Sequence, residues 1–366
     1  MKWLCVIAML GACTRPSEDR AYEELGVGIA EIADAKVTVA GGLAAVRELA
    51  DHRLVVWSNS PVLDIELVVG SGAGGDWTIT AMNSLADARL VADGVTIART
   101  GTETGPTVAT FVVPLAPGTH ALRVAPPDAD TPGAFRVAAM ADIQTALPSV
   151  DQVFREINGV ADVRFVVAMG DITQRAEEWE YEMFDRQLRY LRIPFYTTLG
   201  NHELWAPASR YFERFGRASF QFTYRGVSFT FVDSGDAAID PLVDEQLRGW
   251  LADARDRPNV FLTHMPPVDP SGLRYGSFRS TRDGQRLLAE LVEGKVDLTL
   301  YGHIHTYEAY ENGGIPAHIS GGGGAEPMKL DGIDRHFLMV ELDATVEYKA
   351  DAATSGVRGV ELHRVD

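Results

Sequence analysis

The sequence predicts two domains of different class: an all-β sandwich over residues 35–128, then an α/β domain with parallel strands over 134–366. Three observations predict this. The 366 residues exceed one average domain and suit two. Before residue 128 the apolar runs are short and punctuated by turn residues, the pattern of small antiparallel sheets. After Gly133 similar runs alternate with segments of helical periodicity, the pattern of a layered α/β domain.

At the N-terminus, Met1-Lys2 precedes an apolar run from Trp3 to Leu10 and then Gly11-Ala12-Cys13. A short positive start, a short apolar core and small residues describe a secretory signal over 1–12, too short to serve as a membrane span. Cys13 after Leu10-Gly11-Ala12 resembles the bacterial lipobox, in which that cysteine is lipidated and becomes the new N-terminus. The expectation is an exported protein of the bacterial periplasm or cell surface, held to a membrane only by a lipid anchor on Cys13. An ordinary signal peptide cut nearby, with Cys13 incidental, is the alternative. Residues 13–34 follow as the lipidated cysteine and a tether, polar from Thr14 to Glu24. With Cys5 and Cys13 as the two cysteines, the chain has no disulfide framework, thiolate metal site or cysteine nucleophile.

In the β region the clearest strands are Leu54–Trp57, Leu63–Val69, Trp77–Thr80 and Thr110–Val113, with Pro117–His120 turning into Ala121–Val124. Pro126, Pro127, Asp128, Asp130, Pro132 and Gly133 mark a linker. The α/β region then alternates Phe135–Ala141 (strand), Ser149–Asn158 (helix), Val163–Met169 (strand), Ala176–Leu191 (helix) and Pro194–Leu199 (strand). A β meander over Ser219–Tyr224 and Val227–Val232 is followed by a helix near Leu242–Ala254 and a strand at Asn259–Thr263. A helix at Arg282–Glu293 and a strand at Val296–Leu300 complete the pattern.

The hydrophobic fraction of 46% is that of a globular protein, and the net charge of −18 gives a pI near 4.9. Such a surface repels nucleic acid and anionic headgroups, so no nucleic-acid partner is expected. A small phosphorylated molecule fits only where a local cation cluster reverses the sign inside a pocket.

Metal-ligand residue types stand at the carboxyl ends of five of those strands: Asp142, Gly170-Asp171, Gly200-Asn201-His202-Glu203, His264 and Gly302-His303-Ile304-His305. One polar residue at a strand end is an ordinary solvated loop. Five in series, all Asp, Asn or His, converge on one rim of one sheet, where α/β domains hold their ligands. Two metals roughly 3.5–4 Å apart polarise a phosphoryl group and bring a bridging water's pKa near neutrality. That chemistry needs an anionic bridge and mostly neutral ligands elsewhere. Two divalent ions against Asp142 and Asp171 leave the excess positive charge that holds a phosphate dianion. Imidazole and amide ligands suit manganese, iron or zinc, and Gly170, Gly200 and Gly302 let the backbone turn sharply beside them.

This ordered set resembles the calcineurin-like metallophosphoesterase family, whose signature is Asp-x-His, Gly-Asp, Gly-Asn-His-(Asp/Glu), His and Gly-His-x-His. The resemblance runs from Phe135 to Asp343 and extends to Met265-Pro266-Pro267 after His264 and to Gly321–Gly324. It implies a layered α/β/β/α sandwich and a metal-dependent phosphoester hydrolase with two divalent or trivalent metal ions. By motif, Asp142, Gln144 and His305 would hold one metal, Asn201, His264 and His303 the other, and Asp171 would bridge. His202 would face the phosphate oxygens and stabilise the transition state or protonate the leaving group. Glu203 would orient it and raise its pKa. The β domain is similar to the fibronectin-like domain of purple-acid-phosphatase-type members.

The departure is Gln144, where the commonest pattern has His. An amide oxygen is a harder and weaker donor than imidazole, so looser binding is expected there, with a lean towards manganese, magnesium or iron. Purple acid phosphatases place a Tyr where this chain has Gln174, so a tyrosinate-bound ferric centre is not expected. Three readings follow: a phosphomonoesterase acting on small or protein-borne esters, a phosphodiesterase with the same metals, and a non-catalytic module if the Gln144 site is empty.

Other motifs have plainer explanations. Gly70–Gly75 fits a dinucleotide-binding pattern, but Asp76–Thr80 reads as a strand where that motif needs a helix, so a wide hairpin turn is expected. Trp179, Phe184, Leu188 and Leu191 have core spacing. Arg274, Arg279 and Arg282 read as surface charge. His52, His120, His318 and His336 lack ligand context, and Tyr301 and Tyr307 flank Gly-His-x-His as pocket or packing residues.

Overall fold

The computed structural model describes residues 16–101, 105–272, 276–329, 333–346 and 356–365. The signal segment, Cys5, Cys13 and Arg274 lie outside the described residues. Among the described residues no helix is long and apolar enough to cross a membrane.

In the N-terminal domain the strands are β1 (Ile29–Ile32), β2 (Ala35–Val39), β3 (Ala44–Ala50), β4 (Arg53–Ser58), β5 (Leu63–Val69), β6 (Gly75–Met82), β7 (Arg89–Ala92), β8 (Val95–Ile97), β9 (Ala109–Leu115) and β10 (Gly118–Ala125). They form one sheet in the order β1-β2-β5-β10-β7-β8 and a second in the order β3-β4-β6-β9. Strict alternation in β5 and β9 turns Leu63, Ile65, Leu67, Phe111 and Val113 into the core between them. The Gly70–Gly75 segment is not a hairpin, because β5 and β6 pair in different sheets. It arches from one sheet to the other, with Trp77 Nε1 donating to the Ala73 carbonyl (2.9 Å).

The α/β domain has two packed sheets. The first contains β11 (Ala134–Met140), β12 (Val163–Ala168), β13 (Phe195–Thr197), β20 (His336–Asp343) and β21 (Val357–Arg364), ordered β13-β12-β11-β20-β21. The second contains β14 (Phe220–Tyr224), β15 (Val227–Val232), β16 (Asn259–Thr263), β17 (Leu298–Tyr301), β18 (Tyr307–Asn312) and β19 (Ile315–Ser320), ordered β14-β15-β16-β17-β19-β18. β11, β12 and β13 are parallel, as are β15, β16, β17 and β19. Their apolar runs are continuous because both faces are covered. Phe165, Val167, Phe229, Phe231, Leu262 and Leu300 fill the space between the sheets. Outside the first sheet lie α2 (Asp151–Gly159), α3 (Glu178–Leu188) and α4 (Ser209–Phe215), burying Phe154, Tyr181, Phe184 and Phe215. Outside the second lie α5 (Pro241–Ala254) and α6 (Thr281–Glu293), burying Leu247, Leu251, Leu287 and Leu291. Side chains start the two outer helices: Asp240 caps the N-terminus of α5 ahead of Pro241, and Ser280 that of α6.

Two expectations are corrected here. Pro16–Glu24, expected as tether, forms helix α1, docked on the second sheet's helical layer. Ala21 enters the core, Arg20 Nε donates to Asp233 (2.6 Å) and Arg20 Nη2 to Asp236 (2.9 Å). The carboxylate of Glu24, fully buried, accepts from the amides of Ala218 and Ser219 at 3.0 Å each, while burial first and then Asp233 push it up to about 7. A polar sequence here serves a buried ionic contact, which composition alone does not distinguish from a solvated tether. The Trp179 end of the proposed core stripe is also wrong: Trp179 is 52% exposed, whereas Phe184 and Leu191 are buried.

The domains meet at β13, an edge strand of the first sheet. Asn83 of the β domain donates to the Phe195 carbonyl and accepts from the Phe195 amide, both at 2.8 Å. Asn59 accepts from Thr197 N (3.2 Å) and donates to Thr197 O (3.4 Å), and also to Arg217 O (3.1 Å) beyond the strand. Two buried amides thus satisfy the backbone groups that a further strand would have paired.

Candidate metal centre

Each proposed site residue named here follows a strand end. Asp142 follows β11, Asp171 follows β12, Asn201 and His202 follow β13, His264 follows β16, and His303 and His305 follow β17. They converge from two sheets, not along one, because the facing sheets bring the ends of β11–β13 and β16–β17 to a common edge.

The backbone bends hard to present them. Asp142 (φ 64°), Gln144 (φ 42°), Asp171 (φ 55°) and His303 (φ 68°) all adopt left-handed conformations that cost non-glycine residues energy. Four such positions in one site are strain held by the surrounding packing. Gly200 allows the closest approach: a Cβ there would overlap Asp171 Oδ1.

Asp171 is fully buried and central. Its Oδ1 accepts from the His202 amide (2.9 Å). Its Oδ2 lies 2.6 Å from Gln144 Nε2, 3.3 Å from His264 Nε2 and 3.9 Å from His202 Nε2. One carboxylate oxygen therefore touches both proposed ligand sets. Burial pushes the Asp171 carboxyl up, but His264 and His202 outweigh it and hold the group below the usual carboxylate range.

On one side, His264 Nε2 is 3.1 Å from Asn201 Oδ1, and donor atoms of Asp171, His264 and His303 all lie within 4.8 Å of one another. Burial lowers the pKa of His264, yet Asp171 and then Asp142 carry it up to about 9. On the other side, Asp142 Oδ1 lies 3.4 Å from His305 Nε2, and Gln144 Nε2 lies 3.3 Å from the same nitrogen. Asp142 Oδ2 accepts from the His303 amide (2.9 Å), but Oδ1 is buried with no hydrogen-bond partner. A buried carboxylate oxygen without a donor, beside an imidazole nitrogen, fits a cation.

Backbone carbonyls aim three imidazoles. Nδ1 of His264 donates to Met169 O (2.6 Å), Nδ1 of His305 to Glu326 O (2.8 Å) and Nδ1 of His202 to Gln174 O (2.8 Å). Each bond fixes the ring and turns Nε2 inward.

Glu203 does not orient His202. Its Oε2 accepts from the amides of Asp171 (2.9 Å) and Gly200 (2.7 Å), and its Oε1 from the amide (2.9 Å) and hydroxyl (3.0 Å) of Thr173. It ties the loops after β12 and β13 together from beneath. Four donors occupy the carboxylate, so none of it is left for the imidazole. Burial, and then the Asp171 charge, push its pKa up.

Sequence reasoning missed the three carbonyls and the Asn59 and Asn83 braces. Carbonyls carry no side-chain signal, and the asparagines lie 138 and 112 residues from their partners. The remaining motifs are structural. Tyr301 is buried, Tyr307 stacks on His318, His336 is buried, His120 pairs with Asp93 (2.6 Å), and Arg279 is exposed.

The calcineurin-like phosphoesterase family profile matches residues 135–307. A purple acid phosphatase from yellow lupin (Lupinus luteus) seeds has the same fold, with a TM-score of 0.52 at 16% identity over 77% of this chain and 67% of that one. PhoD overlaps at a TM-score of 0.46 and 10% identity, covering 84% of this chain and 88% of its own. GAP50 of Plasmodium overlaps at 0.44 and 15% identity, covering 64% and 90%. No curated protein matches. With the five strand-end motifs in place around Asp171, the α/β domain of this chain belongs to the calcineurin-like phosphoesterases, metal-dependent hydrolases of phosphoric esters.

Proposed function

We propose that this protein hydrolyses phosphomonoesters at a dinuclear metal site. The observation that carries the reading is Asp171 Oδ2, which stands at 2.6 Å from Gln144 and 3.3 Å from His264 and so belongs to both donor sets. Asp142, Gln144, His305 and Asp171 would hold one cation, and Asn201, His264, His303 and Asp171 the other. Two bound cations would supply a water of near-neutral pKa and neutralise the phosphoryl oxygens.

The chain's own residues do the rest. Asp142 and Asp171 contribute two negative charges against four from two divalent ions. The two charges left over match a monoester dianion and only half match a diester monoanion. His202, 9% exposed and held at Nδ1 by Gln174, offers Nε2 to the leaving oxygen or the phosphate. Glu203 keeps the Asp171 and Asn201 loops at fixed separation. For Gln144 to act as a ligand, its amide must turn Oε1 to where Nε2 stands and give up its bond to Asp171. The amide oxygen it would then offer is a harder donor than imidazole, which favours manganese, magnesium or iron at that position.

Purified protein with manganese should turn over p-nitrophenyl phosphate faster than bis(p-nitrophenyl) phosphate. Faster diester turnover would make it a phosphodiesterase. No turnover with any divalent metal, at one equivalent of bound metal or less, would make it a binding module.

Export with a lipid on Cys13 is part of the same reading. Helix α1 begins at Pro16, leaving Thr14 and Arg15 between the anchor and the docked helix, so the catalytic domain would sit close to the membrane. Cys13→Ser should release the protein from the membrane fraction; continued association would sink the idea.

A further inference from the structure

We propose that Trp205 and Arg175 form a subsite for a flat aromatic or heteroaromatic leaving group. The proposal rests on the phosphomonoester reading and adds a substrate class to it. Trp205, at 67% exposure, is the most exposed large apolar side chain among the described residues. Its place is what gives the exposure meaning. The 3₁₀ turn His202–Trp205 starts at the histidine that faces the phosphate. Residues three apart eclipse in such a turn, at a rise of about 6 Å. Trp205 therefore stands on the same face as His202, one step outward, where a leaving group would extend from the phosphoryl oxygens.

The opposite wall comes from the loop after Asp171. Gln174, whose carbonyl aims His202, is followed by Arg175, whose guanidinium lies 5.9 Å from the centroid of the Trp205 ring. That distance is at the outer limit of a cation–π contact and leaves the ring unsealed. The backbone beneath both walls is held. Glu203 pins the tryptophan turn through its four accepted bonds. Glu180 pins the arginine loop by accepting from the amides of Gln174 (3.1 Å), Arg175 (3.0 Å) and Glu177 (2.9 Å). An exposed indole face beside an exposed guanidinium suits a flat ring, and stacking needs no particular ring chemistry. An aryl ester and a nucleoside monophosphate share that feature; an alkyl phosphate lacks it.

Phenylphosphonate and methylphosphonate, which carry no hydrolysable ester, separate the subsite from the reaction. The manganese-loaded protein should bind phenylphosphonate more tightly, and Trp205→Ala should lower that preference about tenfold or more, the size usual for one aromatic stack. Trp205→Phe should keep most of it. Metal content of each variant, measured on the same samples, shows that the turn around His202 is intact. KM values of Trp205→Ala for phenyl phosphate and adenosine 5′-monophosphate then tell a simple arene from a purine by which rises more. An unchanged phenyl-to-methyl preference in Trp205→Ala, or an equal loss for both phosphonates at full metal content, overturns the subsite. Failure of the wild-type protein to turn over any monoester would instead overturn the reaction, and the phosphonate ratio does not depend on it.

Discussion

Around His264 the proposed donors include two imidazoles, whereas around Gln144 an amide bonded to Asp171 stands in place of one of them. The first half offers two imidazoles, an amide oxygen and a carboxylate, with His264 held by Met169. The second offers one imidazole, one carboxylate with an unpartnered oxygen, and Gln144 bonded to Asp171. Both share Asp171 and the strained strand ends. The difference is one side chain, and it teaches that the two halves differ first in donor type, an amide standing where the other half has an imidazole.

Three variants break or sharpen this contrast, the largest effect first. His202→Ala should cut kcat by about a hundredfold or more while both halves keep their metal, because in the proposed reading the imidazole serves the substrate. Loss of metal in that variant would make His202 a ligand and redraw the two halves. Glu203→Gln should act on both halves together. Replacing one oxygen with an N–H leaves a buried amide donor of Asp171, Gly200 or Thr173 unmet and should cost about 1–3 kcal/mol of stability. Denaturant unfolding checks this. If stability stayed the same while kcat fell as far as in His202→Ala, the orienting role would be restored to Glu203. The smallest change, Gln144→His, should leave the His264 half alone and tighten the other by about tenfold.

Much of this contrast was legible in the sequence. Asp142, Asp171, Asn201, His264, His303 and His305 could be found because parallel strands end on a shared edge and these residue types recur there. Gln144 was visible as a departure for the same reason. The division of the strands into two sheets was harder to see, since β12, β15, β16 and β17 all read as similar apolar runs. What faces them is decided by packing between distant segments such as Phe165 and Phe229 (ring centroids 5.4 Å apart). Glu203 was misassigned because adjacency to His202 suggested a contact, whereas the 3₁₀ turn sends its carboxylate under the loops. Helix α1 was read as tether because its polar residues, Arg20 and Glu24, find their partners some two hundred residues away.

The β domain contrasts with the metal centre in another way. It contributes no proposed ligand, yet Asn59 and Asn83 hold the strand that runs into Asn201 and His202. Its contribution to the site is to close an edge of the first sheet.

The most direct test of the account is a calorimetric titration of manganese into metal-stripped wild-type protein and Gln144→His. The account predicts two equivalents per chain in both, with the weaker wild-type site at least about tenfold below the stronger and that gap closed by the histidine. A single equivalent in both proteins, or two wild-type sites of equal affinity that Gln144→His does not change, would contradict it.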